Sequence, residues 1–230
     1  MSEANHPTPS QPARSSSGAM IGVLGSVATI SGILLALVYQ GTYDIIQRNK
    51  QQAVREAVFT VLPGAVEQVG FEVSDEGTLK RVTDQPAAQP RLFTGWSEDG
   101  AMLGVAVKAS EQGYGGPVRV LYGYDPDQEL ITGLTILESK ETPGLGDRIT
   151  EESFLKKFNN LEASLNPGEN ALTHPITFVK SGEKTKPWQV EGISGATISS
   201  KAVVHAVGQS TREMLPFVHD HLEELKEASP

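Results

Sequence analysis

VRVLYGYDPDQELITGLTILE, residues Val118 to Glu138, decides the fold. Two runs rich in Val, Leu, Ile and Tyr, Val118–Tyr124 and Leu130–Glu138, flank the polar tetrapeptide Asp125-Pro126-Asp127-Gln128. Such residues suit a pleated, half-buried surface, and a Pro/Asp cluster between them suits a turn, so the segment predicts a β-hairpin. Another strand is expected before it, over Ala101–Ala109, and two more after it, over Ile176–Val179 and Trp188–Ile193. Glu151–Phe158 predicts a short helix with acidic residues in its first turn, where the helix dipole favours them. A last helix is expected from about Ala196 towards Leu225, perturbed or broken near Pro216. Strands in hairpins with helices at the ends predict an α+β domain on a mixed, largely antiparallel sheet, not a wound α/β one.

Towards the N-terminus the pattern changes. Gly64–Pro90 is mixed and ends in a Pro/Gln/Ala patch that predicts a loop. In Tyr43–Leu62, Ile46, Ala53, Ala57 and Val61, with Val54 and Val58 beside them, recur at near-helical spacing, and Pro63-Gly64 ends the run. Before it stands AMIGVLGSVATISGILLALVY, Ala19–Tyr39, with no charged residue; the nearest charges are Arg14 and Asp44. About 20 apolar residues rising roughly 1.5 Å each cross a hydrocarbon core. A signal peptide would have a shorter apolar run and a small-residue cleavage site, which Tyr39-Gln40-Gly41-Thr42-Tyr43 does not offer. A buried core helix of this length would show a polar stripe. The expected organisation is therefore a disordered tail rich in Ser and Pro over 1–18, a transmembrane helix over 19–39, a stalk helix over 40–66 and one globular domain over 67–230.

Charge and composition remove whole classes of function. The net charge is −9, from 28 acidic and 19 basic residues, which argues against a nucleic-acid partner. There is no cysteine, so disulfides, thiolate catalysis, Fe–S clusters and covalent c-type haem are excluded together. If this chain handles electrons, an organic cofactor carries them. His219 and His221, two apart on a helix, point to different faces and predict no metal site. Arg48, Lys50 and Arg55 follow the apolar run while only Arg14 precedes it. Taken alone, that count puts the globular part in the cytoplasm.

The chemistry concentrates in EGISGATISSKAVVHAV, Glu191–Val207. A strand ends at Ile193, a Ser-Gly-Ala-Thr turn follows, and an apolar-periodic helix begins. Ser194 is the expected N-cap. Gly195 and Ala196, with almost no side chain, permit a bulky group to approach the backbone. Thr197 presents a hydroxyl at a helix N-terminus, where free N–H groups favour an anion such as phosphate. Lys201, one turn on, is placed to partner that anion. Judged by the residues alone, an ordinary capped strand-to-helix turn explains the segment better than an anion site does.

Ser194-Gly195-Ala196-Thr197 followed by Ile198-Ser199 resembles the flavinylation motif of the FMN-binding domain family. That family includes the G subunit of the Rnf electron-transport complex and the C subunit of the sodium-pumping NADH:quinone reductase. The resemblance implies FMN joined to Thr197 by a phosphoester, installed by a separate flavin transferase from FAD with Mg²⁺. A second stretch agrees: Glu141-Thr142-Pro143-Gly144-Leu145-Gly146 resembles the family's loop near the flavin. Its Pro-Gly is a strong turn former, Gly144 permits close approach, Leu145 is suited to cover a ring face, and Glu141 and Thr142 to bond polar edges. Tyr114–Val120 and Ile198–Val203 resemble the Rnf G subunit more than the quinone reductase subunit. The implied function is electron relay within a membrane complex that exchanges electrons between ferredoxin and NAD and moves ions, with other subunits as partners. The resemblance also implies a bacterial inner-membrane location with the domain in the periplasm, against the charge count. The remaining readings are the quinone reductase subunit and a membrane-tethered scaffold without cofactor.

Overall fold

The computed structural model describes residues 17–74, 77–82, 91–166, 168–169 and 171–230. Most of the expected tail, 1–16, and the Pro/Gln/Ala patch of the expected loop, 83–90, lie outside the described residues. The first helix, α1 (Ser17–Val61), includes Ser17 and Gly18 of that tail. The chain divides into two units, residues Met1–Arg48 and Asn49–Pro230. Within the first unit α1 is exposed at nearly every described position, and it is long and apolar enough to cross a membrane.

In the second unit the strands follow in chain order: β1 (Glu67–Val73), β2 (Leu79–Val82), β3 (Leu92–Trp96), β4 (Met102–Gln112), β5 (Pro117–Asp125) and β6 (Leu130–Glu138). Then come α2 (Glu152–Leu155), β7 (Leu161–Glu162), β8 (Thr177–Val179), β9 (Gln189–Glu191), α3 (Thr197–Asp220) and α4 (Leu222–Glu227). Seven strands form one sheet in the order β2-β1-β3-β4-β5-β6-β7, and every neighbouring pair is antiparallel. β8 and β9 pair in parallel as a separate small sheet. The fold class is α+β, with a long apolar N-terminal helix preceding an antiparallel-sheet domain, as the hairpin predicted.

Alternation along β5 explains how the sheet buries both faces. Val118, Val120, Tyr122 and Tyr124 join Val203, Val204, Val207, Met214 and Leu215 of α3 in the main core. The side chain between two of them, Leu121, joins Phe93 and Ala106 on the opposite face, against Ala57, Val58, Val61 and Leu62. Tyr122 reaches α3 directly, its hydroxyl 3.0 Å from Ser210 Oγ. Burial pushes its phenol well above the ordinary value, so it serves as a neutral hydrogen-bonding group.

The approach of α1 to that second face depends on glycine. Gly95 pairs with Gly104 across β3 and β4, and Gly123 with Gly133 across β5 and β6. A Cβ on Gly95 would strike Leu62, and one on Gly123 would strike the Val61 carbonyl and Thr132. Each of these four strands thus places a glycine under the end of α1, on the face that also carries Phe93, Ala106 and Leu121. Thr132 Oγ1 donates to the Val61 carbonyl, satisfying a helix-end acceptor that packing hides from water.

Two expectations are corrected. α3 runs through Pro216, and the interruption comes at His221. The carbonyl that Pro216 leaves without a helical donor is four residues back, at Arg212, which is itself an exposed residue. Of the segment read as mixed loop, Glu67–Val73 and Leu79–Val82 are strands, paired at the edge of the sheet. Val69, Phe71 and Val73 of β1 alternate with Gln68, Gly70 and Glu72 and pack on the main core, a short pattern with a glycine inside it that the sequence reading missed. Gly123→Ala should lower stability by about 1–3 kcal/mol, because the backbone beneath the new methyl has no room to yield. A thermal melt of the detergent-solubilised full chain measures this, and an unchanged midpoint would contradict the described packing of α1.

Candidate functional site

Three segments far apart in sequence meet at one buried carboxylate. Glu141, 8 % exposed, follows β6. Its Oε1 accepts the Gly115 N–H at 3.1 Å, from the turn between β4 and β5. Its Oε2 accepts the Ser199 hydroxyl at 2.7 Å, from the first turn of α3. Glycines make the space: a Cβ on Gly113 would strike Oε1, and one on Gly146 would strike Oε2 and Ser199 Oγ. The two stretches singled out in the sequence, Glu141–Gly146 and Ser194–Ser199, are therefore joined by a direct hydrogen bond.

α3 starts at Thr197, and its N-cap is Ala196, with no side-chain cap hydrogen bond. Ser194 is not the cap, contrary to expectation. The Ala196 N–H donates to the Ile193 carbonyl at 3.0 Å, closing a turn in which Gly195 takes φ +85°. That left-handed residue reverses the chain after Ser194 and delays the helix by two residues. Ser200 ties the turn from inside, its Oγ accepting the Ile193 N–H at 3.0 Å. The first N–H groups of α3 thus lack both an intrahelical partner and a side-chain cap.

Two residues along a helix are roughly 200° apart, so Thr197 and Ser199 face opposite ways. Ser199 is buried on Glu141, while Thr197 is exposed. Lys201, four residues on, shares the Thr197 face and is exposed. Space for a Cβ is open at both Gly195 and Gly144. Arg148 went unread in the sequence: its Nη1 donates to the Ser194 carbonyl at 3.1 Å, while Nε bonds Glu151. It fixes a guanidinium beside the turn, although a lone Arg after a Pro-Gly loop gives no signal of this.

The loop residues divide. The Thr142 carbonyl accepts the N–H groups of Leu145 and, more distantly, Asp147, at 3.1 and 3.4 Å. Pro143-Gly144 forms the turn, with Gly144 at φ +75°. Leu145 stands 58 % exposed. It is one of four large apolar side chains exposed on the described part of the second unit, the others being Val66, Tyr114 and Ile198. No cluster able to hold a metal ion occurs among the described residues.

Comparison with known proteins fits this geometry. A family model described as the FMN-binding domain matches residues 113–211, from the β4–β5 turn into α3. The G subunit of the ion-translocating oxidoreductase complex from Methanosarcina acetivorans is 32 % identical over 184 residues, 79 % of this chain and 85 % of that protein. The chain belongs to this G-subunit family and carries an FMN-binding domain. Another relative, the G subunit of the Na(+)-translocating ferredoxin:NAD(+) oxidoreductase complex of Acetobacterium woodii, is 29 % identical, covering 82 % of this chain and 86 % of the relative. Among solved structures, NqrC of Shewanella oneidensis aligns with a TM-score of 0.58 at 16 % identity, over 79 % of this chain and all of that one. The C subunit of the Na(+)-translocating NADH-quinone reductase of Parabacteroides distasonis gives the same TM-score at 21 % identity, over 75 % of this chain and 95 % of that one. The quinone reductase proteins share the fold. The sequence likeness is to the G subunits, which favours the Rnf reading over its alternatives.

Ser200→Ala should cost about 1–2 kcal/mol, since it takes from the part-buried Ile193 N–H its acceptor, the side chain of a fully buried serine. A lowered thermal midpoint of the full chain checks it. No change would mean that the turn before Thr197 is held by other bonds.

Proposed function

We propose that this chain is a membrane-anchored electron-transfer subunit that carries FMN as a phosphoester on Thr197. It works within a multi-subunit, ion-translocating ferredoxin:NAD oxidoreductase complex. The observation that carries the reading is the exposed Thr197 hydroxyl at the first position of an α3 whose end has no side-chain cap, beside a glycine turn with open space. The relatives from Methanosarcina acetivorans and Acetobacterium woodii, and the FMN-binding domain match, support the cofactor class and the assembly.

The attachment balances as a phosphoryl-group transfer. Thr197 Oγ bonds to the FMN phosphorus of FAD, the phosphoanhydride bond breaks, and AMP leaves. The hydroxyl proton goes to a base of the transferase, because the motif of this chain supplies none to activate an alcohol. Once in place the phosphate is held by the first N–H groups of α3, whose dipole favours negative charge, with Lys201 on the same face. FMN supplies one- and two-electron chemistry when bound, and the protein tunes it by burial and hydrogen bonding. Leu145 and Gly144 lie on the adjoining loop, where one offers apolar cover and the other open approach.

The anchor is the apolar part of α1 in a bacterial inner membrane. Tyr43–Pro230 is placed outside the cytoplasm, in the periplasm, where covalent attachment prevents loss of the cofactor. Arg48, Lys50 and Arg55 oppose this, but large domains translocate with little regard to a small charge excess.

Thr197→Ala should abolish covalent flavin while the fold persists, since Ala is a good helix former at an exposed first-turn position. Intact mass should then lack one FMN less water. Flavin that stays on the variant through denaturation would put the attachment elsewhere. For topology, a reporter active only in the cytoplasm and fused after Pro230 should be silent; strong activity would vindicate the charge count.

A further inference from the structure

Glu141 has more to hold than a turn. Each of the three segments it joins carries one exposed large apolar side chain, and each of these is the chain neighbour of a glycine or serine at the carboxylate. Tyr114, 73 % exposed, precedes Gly115, whose N–H bonds Oε1. Ile198, 57 % exposed, precedes Ser199, whose hydroxyl bonds Oε2. Leu145 precedes Gly146, which lies so close to Oε2 that a Cβ would collide with it. Exposed apolar side chains are uninformative singly, but three on one hub are a built feature. Two hydrogen bonds to that one side chain tie the segments of Tyr114 and Ile198 to the loop that carries Leu145.

We propose that Glu141 is a positioning residue for the flavin: it touches neither Thr197 nor the ring, and it sets Tyr114, Leu145 and Ile198 as the apolar bed on which the isoalloxazine rests. The inference rests on the reading that FMN is carried on Thr197. Glu141 itself faces inward, because Ser199 lies opposite Thr197 on α3 and both carboxylate oxygens are engaged. Neither Tyr114 nor Ile198 was given a role of its own in the sequence, where both stand only within stretches that carry the family resemblance.

Glu141→Ala and Glu141→Gln separate geometry from charge. Gln keeps a carbonyl for the Gly115 N–H, and its amide can donate to Ser199 Oγ, which a hydroxyl accepts as readily as it donates. Ala keeps neither bond. The full chain is produced with its flavin transferase, and attachment is followed by intact mass. The visible spectrum and midpoint potential of the attached flavin are recorded with a thermal melt. Glu141→Ala should slow attachment by about tenfold or more, as misplacement of a reacting group does. It should also shift both the spectrum and the potential. Glu141→Gln should recover attachment to within about threefold of the wild-type rate. If Glu141→Ala melts below the assay temperature, Ser199→Ala carries the test, because it removes one bond and leaves the Gly115 bond in place. It should then fall between wild type and loss.

Wild-type attachment rate, spectrum and potential in Glu141→Ala, or in Ser199→Ala where it stands in, would overturn the proposal. So would a Glu141→Gln variant no better than Glu141→Ala, since charge and not bonding would then matter. A wild-type chain that takes no FMN on Thr197 would instead sink the cofactor reading, and that control is independent of Glu141.

Discussion

Removing an ionised carboxylate from water costs several kcal/mol unless donors replace the lost hydration. In this domain the donors for Glu141 come from two other segments, the Gly115 amide and the Ser199 hydroxyl. Burial of that one group therefore requires the β4–β5 turn, the loop after β6 and the start of α3 to be brought together. Gly113 and Gly146 follow from the same need, because a methyl at either place would occupy the carboxylate's position. What looks in sequence like two unrelated glycine-rich motifs is, in space, one packing solution around two oxygens.

The start of α3 shows how local and tertiary demands divide between neighbouring side chains. Ser199 turns inward to Glu141 and Ser200 inward to the Ile193 amide, while Thr197 is left on the water side. The helix has no side-chain cap, so its first donors stay open. A serine cap at this end would add stability of roughly 1 kcal/mol and would compete with an anion for those donors. That omission suits the phosphate proposed for Thr197.

Much of the domain could be read from residue pattern. The β5–β6 hairpin, the α+β class and the position of Thr197 at a helix start all rest on alternation, turn chemistry and spacing, which are local properties. What escaped reading was mostly tertiary. The alternation of Val69, Phe71 and Val73 in β1 is short and was missed, β2 is a four-residue strand at the sheet edge, and β3 is only five residues long, all of them buried. Ser194 looked like a cap because residue type favours it, and a positive φ at Gly195 moved the helix start. Pro216 looked like a break because residue type disfavours it within a helix, whereas α3 runs through it. The bond between Ser199 and Glu141 spans 58 residues, and the Arg148 contact to Ser194 spans 46; no periodicity reports such distances.

The glycine floor under the end of α1 also says where this protein can be cut. Gly95, Gly104, Gly123 and Gly133 bring Val61 and Leu62 against the strands, with Ala57 and Val58 completing the cover over Phe93, Ala106 and Leu121. A water-soluble version that begins near Asn49 drops the apolar stretch and keeps this cover. One that begins at the first strand, near Glu67, bares the side chains of Phe93, Ala106 and Leu121 and the glycine backbone beside them, an apolar surface that invites self-association. The last turns of α1 are thus covalently part of the anchor helix and energetically part of the sheet, and the severable joint lies about a dozen residues upstream of where the helix ends.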